Sequence, residues 1–274
     1  TRARRTRGCV DQVHQCGHRA DDVTKCRRAA ALATAVLLTP TLVACGADDG
    51  DDAVVVFAAS SLTDVLDDMA AGPLADGPPI EVVAAGSQTL VAQLADGADA
   101  DLLVTADRAT MEQAVADGSV EGEPSVIATN ALVVAVAPGN PARISGVDDL
   151  ADADHTIGVC AAAVPCGVLA VDAATGLGIE LAADTEEPNV RALATKITLG
   201  EVDAGLVYAT EAAALDLETV GVTELGRWRT EYLAATVPAR PPAAVTEVLA
   251  AVTGDEGAAV LAAAGFTAPN RTTP

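Results

Sequence analysis

Residues 53–69 read Ala53-Val-Val-Val-Phe-Ala-Ala-Ser-Ser-Leu-Thr-Asp-Val-Leu-Asp-Asp-Met69. Residues 53–57 form a continuous apolar run of the length expected for a strand buried on both faces. Leu62, Val65, Leu66 and Met69 then recur at i, i+3, i+4 and i+7, the spacing of an amphipathic helix. Strand, hydroxyl-bearing turn and helix make one βα unit, and the pattern repeats. Residues 80–84 read as strand, with Leu90, Val91 and Leu94 on the helix that follows. Residues 101–106 are strand-like and 111–116 helical. This alternation predicts an α/β fold built on parallel strands.

A further strand over 132–137 is closed by the turn Pro138-Gly139-Asn140-Pro141. A second series then begins: strand 156–160, helices 168–175 and 190–199, strand 204–208 and helix 210–215. The last strand, 232–237, precedes helices over 243–252 and 257–264. No internal repeat is evident. Half of the 274 residues are apolar and a fifth are charged, so the chain can bury a substantial core and disorder is not the default reading. With two Phe, two Tyr and one Trp, that core must be assembled from small aliphatic side chains.

Charge is uneven along the chain. Residues 1–44 carry eight Lys/Arg against three Asp, whereas the remainder carries eight against 36 Asp/Glu. A body so acidic repels nucleic acid, which is not an expected partner. Trp228 between Arg227 and Arg229 is read as loop packing. Residues 27–45 have the form of a secretory address: Arg27 and Arg28, an apolar run broken by Pro40, and small residues before Cys45. The run is too short for a comfortable membrane span. Leu42-Val-Ala-Cys45 resembles the lipobox of bacterial lipoproteins, which implies lipid on Cys45 and cleavage before it. The acidic stretch 46–52 reads as a solvated tether. Cys9, His14, Cys16, His18 and Cys26 match no zinc spacing, and residues 1–26 are read as an upstream extension outside the mature protein.

Three segments share one design, in which a strand ends, small or polar residues follow, and a helix begins. They are Phe57-Ala-Ala-Ser-Ser-Leu-Thr-Asp64, Ala84-Ala-Gly-Ser-Gln-Thr-Leu90 and Pro188-Asn-Val190. Free amides and the positive end of the dipole make helix N-termini natural anion sites, and α/β proteins bind ligands at the C-terminal edge of their strands. The plainer alternative makes Ser61 and Ser87 simple N-caps. Residue chemistry by itself leads to an anion or small-ligand cleft.

Further motifs are Ala-Asp-Leu-Leu-Val-Thr-Ala-Asp (100–107), Thr-Asn-Ala-Leu-Val-Val (129–134), Val-Pro-Cys-Gly (164–167), Asn-Val-Arg (189–191) and Gly-Leu-Val-Tyr (205–208). In these, with Val-Phe-Ala-Ala-Ser-Ser-Leu-Thr (56–63) and Gly-Ser-Gln-Thr-Leu (86–90), the chain resembles the molybdate-binding proteins of ABC importers, the ModA family. The resemblance implies a two-lobed periplasmic-binding fold, each lobe a mostly parallel sheet flanked by helices. Residues 53–130 plus 236–274 would form lobe one and 131–235 lobe two. It also implies a hinged cleft binding a tetrahedral oxyanion through Ser61, Ser87, Cys166, Val190 and Tyr208, by hydroxyls and backbone amides. Cys166 departs from the alanine common in the family, which an amide contact tolerates. Ser60 leaves open which of the adjacent hydroxyls faces the ligand, with Ser61 favoured by its place before Leu-Thr. The implied partners are molybdate or tungstate, an ABC permease and its ATPase, and the membrane through the lipid anchor, with the protein a monomer outside the cytoplasm.

Neutral donors suit such a ligand, because a fully ionised dianion presents only acceptors. No cofactor and no direct metal ligand is expected, since the metal enters as the oxyanion. Arg191 is read as solvating its helix or pairing with a neighbouring acid, and Asp64 as pointing away from the ligand. Cys160 and Cys166 enclose five residues; outside the cytoplasm, with Cys45 assigned to lipid, they are the expected disulfide, the alternative being two buried free thiols. A serine hydrolase is disfavoured: downstream of Cys45 there is one histidine, His155, and no Gly-x-Ser-x-Gly elbow surrounds Ser61 or Ser87. Tungstate, sulfate, phosphate or an organic acid remain as alternative ligands.

Overall fold

The computed structural model describes residues 53–238 and 242–269. The upstream extension, the signal segment with Cys45, and the acidic tether lie outside the described residues. In chain order, β1 (Val54–Ala59) passes through a 3-10 turn (Ser60–Leu62) into α1 (Thr63–Ala71). β2 (Ile80–Ala85) leads to α2 (Ser87–Ala95), and β3 (Leu102–Thr105) to α3 (Arg108–Ala116). After β4 (Glu121–Val136) come β5 (Ile157–Cys160) and α4 (Pro165–Leu177), β6 (Ala183–Glu187) and α5 (Val190–Leu199), then β7 (Ala204–Tyr208) and α6 (Ala209–Ala214). β8 (Glu218–Val220), β9 (Arg229–Thr236), α7 (Pro242–Thr253) and α8 (Asp255–Ala263) follow.

The strands lie in the order β2-β1-β3-β9-β4-β7-β5-β6, with β8 also on β4. β2, β1 and β3 are parallel, as are β6, β5 and β7. The strands between these two sets, β9 and β4, pair antiparallel with their neighbours. Each half of the molecule is therefore a parallel set, flanked by helices, grafted onto antiparallel strands at the middle. β4 serves both halves: up to Ala131 it pairs with β9, and from Leu132 with β7.

The apolar run of β1 is explained by two buried faces. Val54, Val56 and Ala58 join the large core with Leu62, Leu66 and Met69 of the following turn and helix. Phe57 points to the other face, among Leu90 and Leu94 of α2 and Met111 of α3. Alternation of period two with both faces apolar yields the continuous hydrophobic reading. Burial of one such side chain is worth about 1.5–3 kcal/mol. α7 and α8 pack against β1, β9 and α1, fastening the C-terminal segment to the first half.

Two differences from the sequence reading follow from long-range pairing. β4 begins at Glu121, well before the expected strand at 132, because Gly122 (φ 76°) and Pro124 hide a stretch that only its pairing with β9 makes extended. β9 begins at Arg229, ahead of the expected start at 232, and pairs with β3. Arg229, Thr230 and Glu231 carry no strand pattern of their own; their register opposite Ala131, Asn130 and Thr129 makes them strand. β6 and β8 were also unread, and each is a short, polar strand.

Candidate functional site

Register brings the hydroxyl residues together. Ala59 at the end of β1 lies opposite Ala85 at the end of β2, so both chains leave the sheet at the same edge. Ser61 follows in the 3-10 turn and Ser87 is the first residue of α2. In the second half, Cys160 at the end of β5 lies opposite Glu187 of β6, and α4 and α5 begin beyond them. β7 ends at Tyr208. These strand ends face one another around a cavity lined by Ser60, Ser61, Ser87, Cys166, Asn189, Val190 and Tyr208 among others. All five sequence-predicted residues are on its wall, and all are buried, Ser61 the most exposed of them at 7%. The free space for the centre of a water-sized sphere is about 10 Å³. That is about the room of one water, so a larger ligand enters only as the halves part.

The two halves also meet at Gly86. A Cβ built there would lie 2.7 Å from the carbonyl oxygen of Pro188, on the loop before α5. Gly86 thus lets two backbones meet beside the cavity. Gly167 serves a similar end inside the second half: a Cβ there would lie 2.0 Å from the Ala161 oxygen. The Cys160–Cys166 disulfide, with a Cα separation of 5.8 Å, closes this same turn and holds the start of α4 against the end of β5.

The hydrogen bonding of the two serines excludes a simple capping role. Neither makes a side-chain cap to its own helix. Ser87 Oγ accepts from the amide of Ala106 at 3.1 Å, which leaves its own hydrogen for the cavity. Ser61 Oγ lies 2.8 Å from Tyr232 Oη. The first-turn amides of α2 and α4 meet no side-chain cap, because Gly86 and Val164 offer no oxygen at the N-cap. In α5, Asn189 Oδ1 caps the amide of Ala192 at 2.9 Å and leaves that of Val190. Tyr208 is 1% exposed, and its hydroxyl has no hydrogen-bond partner among the described residues. Burial raises the Tyr208 phenol well above its ordinary value, so it keeps its proton and can donate. Among the described residues, no Asp, Glu, His, Lys or Arg lines the cavity. The wall is neutral and rich in donors, suited to an anion that needs only acceptance.

Charged residues stand behind this wall. Arg191 Nη2 meets Asp64 Oδ2 at 2.6 Å, and its Nε lies 2.5 Å from Glu211 Oε1 without the alignment of a hydrogen bond. Arg191 is therefore paired with acids, and Asp64 lies outside the cavity, as the sequence suggested. Glu211 is buried, which raises its carboxyl to about 7 against the pull of Arg191. Arg227 lies 4.0 Å over the ring of Trp228, which itself packs on α4 at Gly176. The sequence reading missed Tyr232, Asn130 and the Ala106 amide, whose relevance depends on contacts far apart in the chain.

The profile of the bacterial extracellular solute-binding protein family matches residues 54–267. The molybdate-binding protein ModA of Mycobacterium tuberculosis H37Rv is 32% identical over 248 residues, covering 85% of this chain and 95% of that relative. Among solved structures, the Azotobacter vinelandii periplasmic molybdate-binding protein superposes with a TM-score of 0.65 at 18% identity, over 79% of this chain and 99% of that one. The sulfate-binding protein SubI of Mycobacterium tuberculosis gives 0.67 at 16%, over 80% and 88%. The fold is thus the two-lobed one of periplasmic binding proteins, and the sequence matches are to solute-binding proteins that act outside the cytoplasm. With its whole described body matched and its strand-end cavity in place, the chain belongs to the bacterial extracellular solute-binding proteins and, within them, to the ModA family.

Proposed function

We propose that this protein is the solute-binding component of a molybdate ABC importer, tethered to the cell surface by lipid on Cys45. The observation that carries the reading is the uncharged cavity in which Ser61, Ser87, Tyr208 and the amides at Cys166 and Val190 converge. Hydroxyls and amides are oriented when the helices fold, so a dianion finds its donors already in place. Tyr208, whose buried hydroxyl lacks a partner among the described residues, supplies a donor from the second half when the cleft closes on the ligand. The relative named ModA supports molybdate as the ligand. Tungstate has nearly the same shape and charge and would satisfy the same donors. The closed protein then delivers its ligand to a permease and ATPase as a monomer, with no cofactor and no catalytic step.

The acidic body slows the encounter with an anion, but salt screens that repulsion beyond about 8 Å. Affinity arises inside the cavity, where water is excluded. The test is a thermal-shift and calorimetry panel with molybdate, tungstate, sulfate and phosphate. Ligand at 100 times its dissociation constant stabilises a one-site protein by about 2.7 kcal/mol. Molybdate and tungstate should shift the transition strongly; a shift with sulfate or phosphate and none with molybdate overturns the assignment.

A further inference from the structure

We propose that Tyr232, oriented by Asn130, is a positioning residue that fixes Ser61 as a hydrogen-bond donor toward the cavity and so biases the site against oxyanions that carry a proton. The inference rests on the oxyanion reading above and adds to it a determinant of selectivity that does not touch the ligand.

The direction of each proton follows from the partners. Asn130 Oδ1 accepts from the amide of Ala131 at 3.0 Å, which turns the amide nitrogen the other way. Nδ2 lies 2.7 Å from Thr210 Oγ1 and 3.5 Å from Tyr232 Oη. An amide NH2 only donates, so the Tyr232 oxygen can only accept from it. The single phenolic hydrogen of Tyr232 is left for Ser61 Oγ at 2.8 Å, the acceptor paired with it among the described residues. A buried hydroxyl without an acceptor is costly, which decides between the two directions this contact could take. Ser61 therefore receives a hydrogen from behind and directs its own into the cavity.

The ring that carries this hydroxyl is held in place. Tyr232 is fully buried, edge-on to Tyr208 at 6.1 Å and to Phe266 at 5.1 Å between centroids. Burial also raises its phenol well above the ordinary range, so the proton stays on oxygen. Ser87 is set in the same sense by the Ala106 amide. Two of the cavity hydroxyls thus have one lone pair engaged from behind and their hydrogen free for the cavity. A fully ionised dianion uses both hydrogens, whereas one of equal charge bearing an O–H meets fewer free lone pairs for its proton.

The experiment compares molybdate with arsenate by calorimetry on the full chain at mildly alkaline pH, where arsenate is a tetrahedral dianion with one proton. Tyr232→Phe keeps the packed ring and removes the donor. Molybdate affinity should fall about tenfold, the scale of one hydrogen bond to a charged group, while arsenate falls less, so the preference narrows. Asn130→Asp gives Tyr232 an acceptor on its other side. Tyr232 then donates to residue 130, Ser61 donates to Tyr232, and a Ser61 lone pair faces the cavity. Any added charge weakens both dianions alike, so the ratio of affinities is the readout, and it should narrow further. Melting temperatures establish that each variant is folded, and Tyr232→Phe decides the matter if Asn130→Asp is not. Equal losses for the two anions, or no loss, overturn the inference. Wild-type protein that binds neither molybdate nor tungstate instead overturns the functional reading beneath it.

Discussion

Asp64 Oδ2 and Arg191 Nη2 meet at 2.6 Å, joining α1 of the first half to α5 of the second just outside the cavity wall. Asp64 is 55% exposed, so the contact is worth less than about 1 kcal/mol. That is enough to affect how long the closed state lasts. Asp64→Asn should speed ligand dissociation severalfold and leave association nearly unchanged, as measured by stopped-flow. An unaltered dissociation rate means the pair has no role in closure.

Gly86 gives a sharper test of closure. Its φ of −63° and ψ of 137° suit any L-residue, so alanine costs nothing in backbone strain. The obstacle is the Pro188 carbonyl across the cleft. Gly86→Ala should weaken ligand binding at least about tenfold, the scale of a modest overpacking, without lowering the melting temperature of the free protein. Calorimetry and thermal melts read the two effects separately.

Glu211 predicts a pH dependence of stability. Burial holds its carboxyl at about 7, against an ordinary value of 4.5. Between these values the folded chain retains a proton that the unfolded chain has lost. Stability attributable to this group therefore falls as pH rises from about 4.5 to 7, then levels off. Glu211→Gln should remove this slope, a difference on the order of 3 kcal/mol between the ends of the window. Urea unfolding of wild type and variant at pH 5 and pH 8 provides the comparison, and parallel behaviour of the two contradicts it.

The disulfide is expected to act on both stability and binding. Its loop is short, so removing it through Cys160→Ala with Cys166→Ala should cost about 2 kcal/mol. It should also lower ligand affinity severalfold, because the start of α4 that offers the Cys166 amide loses its tie to β5. Thermal melts and calorimetry check the pair of effects.

Tyr208→Phe removes a buried hydroxyl that has no partner among the described residues. The free protein should be as stable as wild type or slightly more so, while affinity falls roughly tenfold or more, as for a lost hydrogen bond to an anion. A drop in stability with unchanged affinity would reverse that assignment.

Much of the molecule is legible in its sequence. The apolar run at 53–57, the helical spacing from Leu62 to Met69, and the strand ends before Ser61 and Ser87 are local patterns, and local patterns survive in the fold. The polar edge strand β6 and the first part of β4 were not legible. Ala183–Glu187 is strand because it lies beside β5, and Glu121–Asn130 because β9 runs opposite.

What the sequence by itself determined was the placement of donors: hydroxyls and small residues at strand ends, helices starting after them, and two cysteines close enough to bridge. Those features depend on neighbours within a few residues, where backbone geometry leaves little choice. Only the tertiary structure decided which way the donors point. The Tyr232 hydrogen on Ser61, the Ala106 amide on Ser87, the Pro188 carbonyl over Gly86 and the burial of Glu211 are all contacts between distant segments. A hydroxyl can donate or accept until its partners are fixed, and those partners are fixed only when the sheet is assembled.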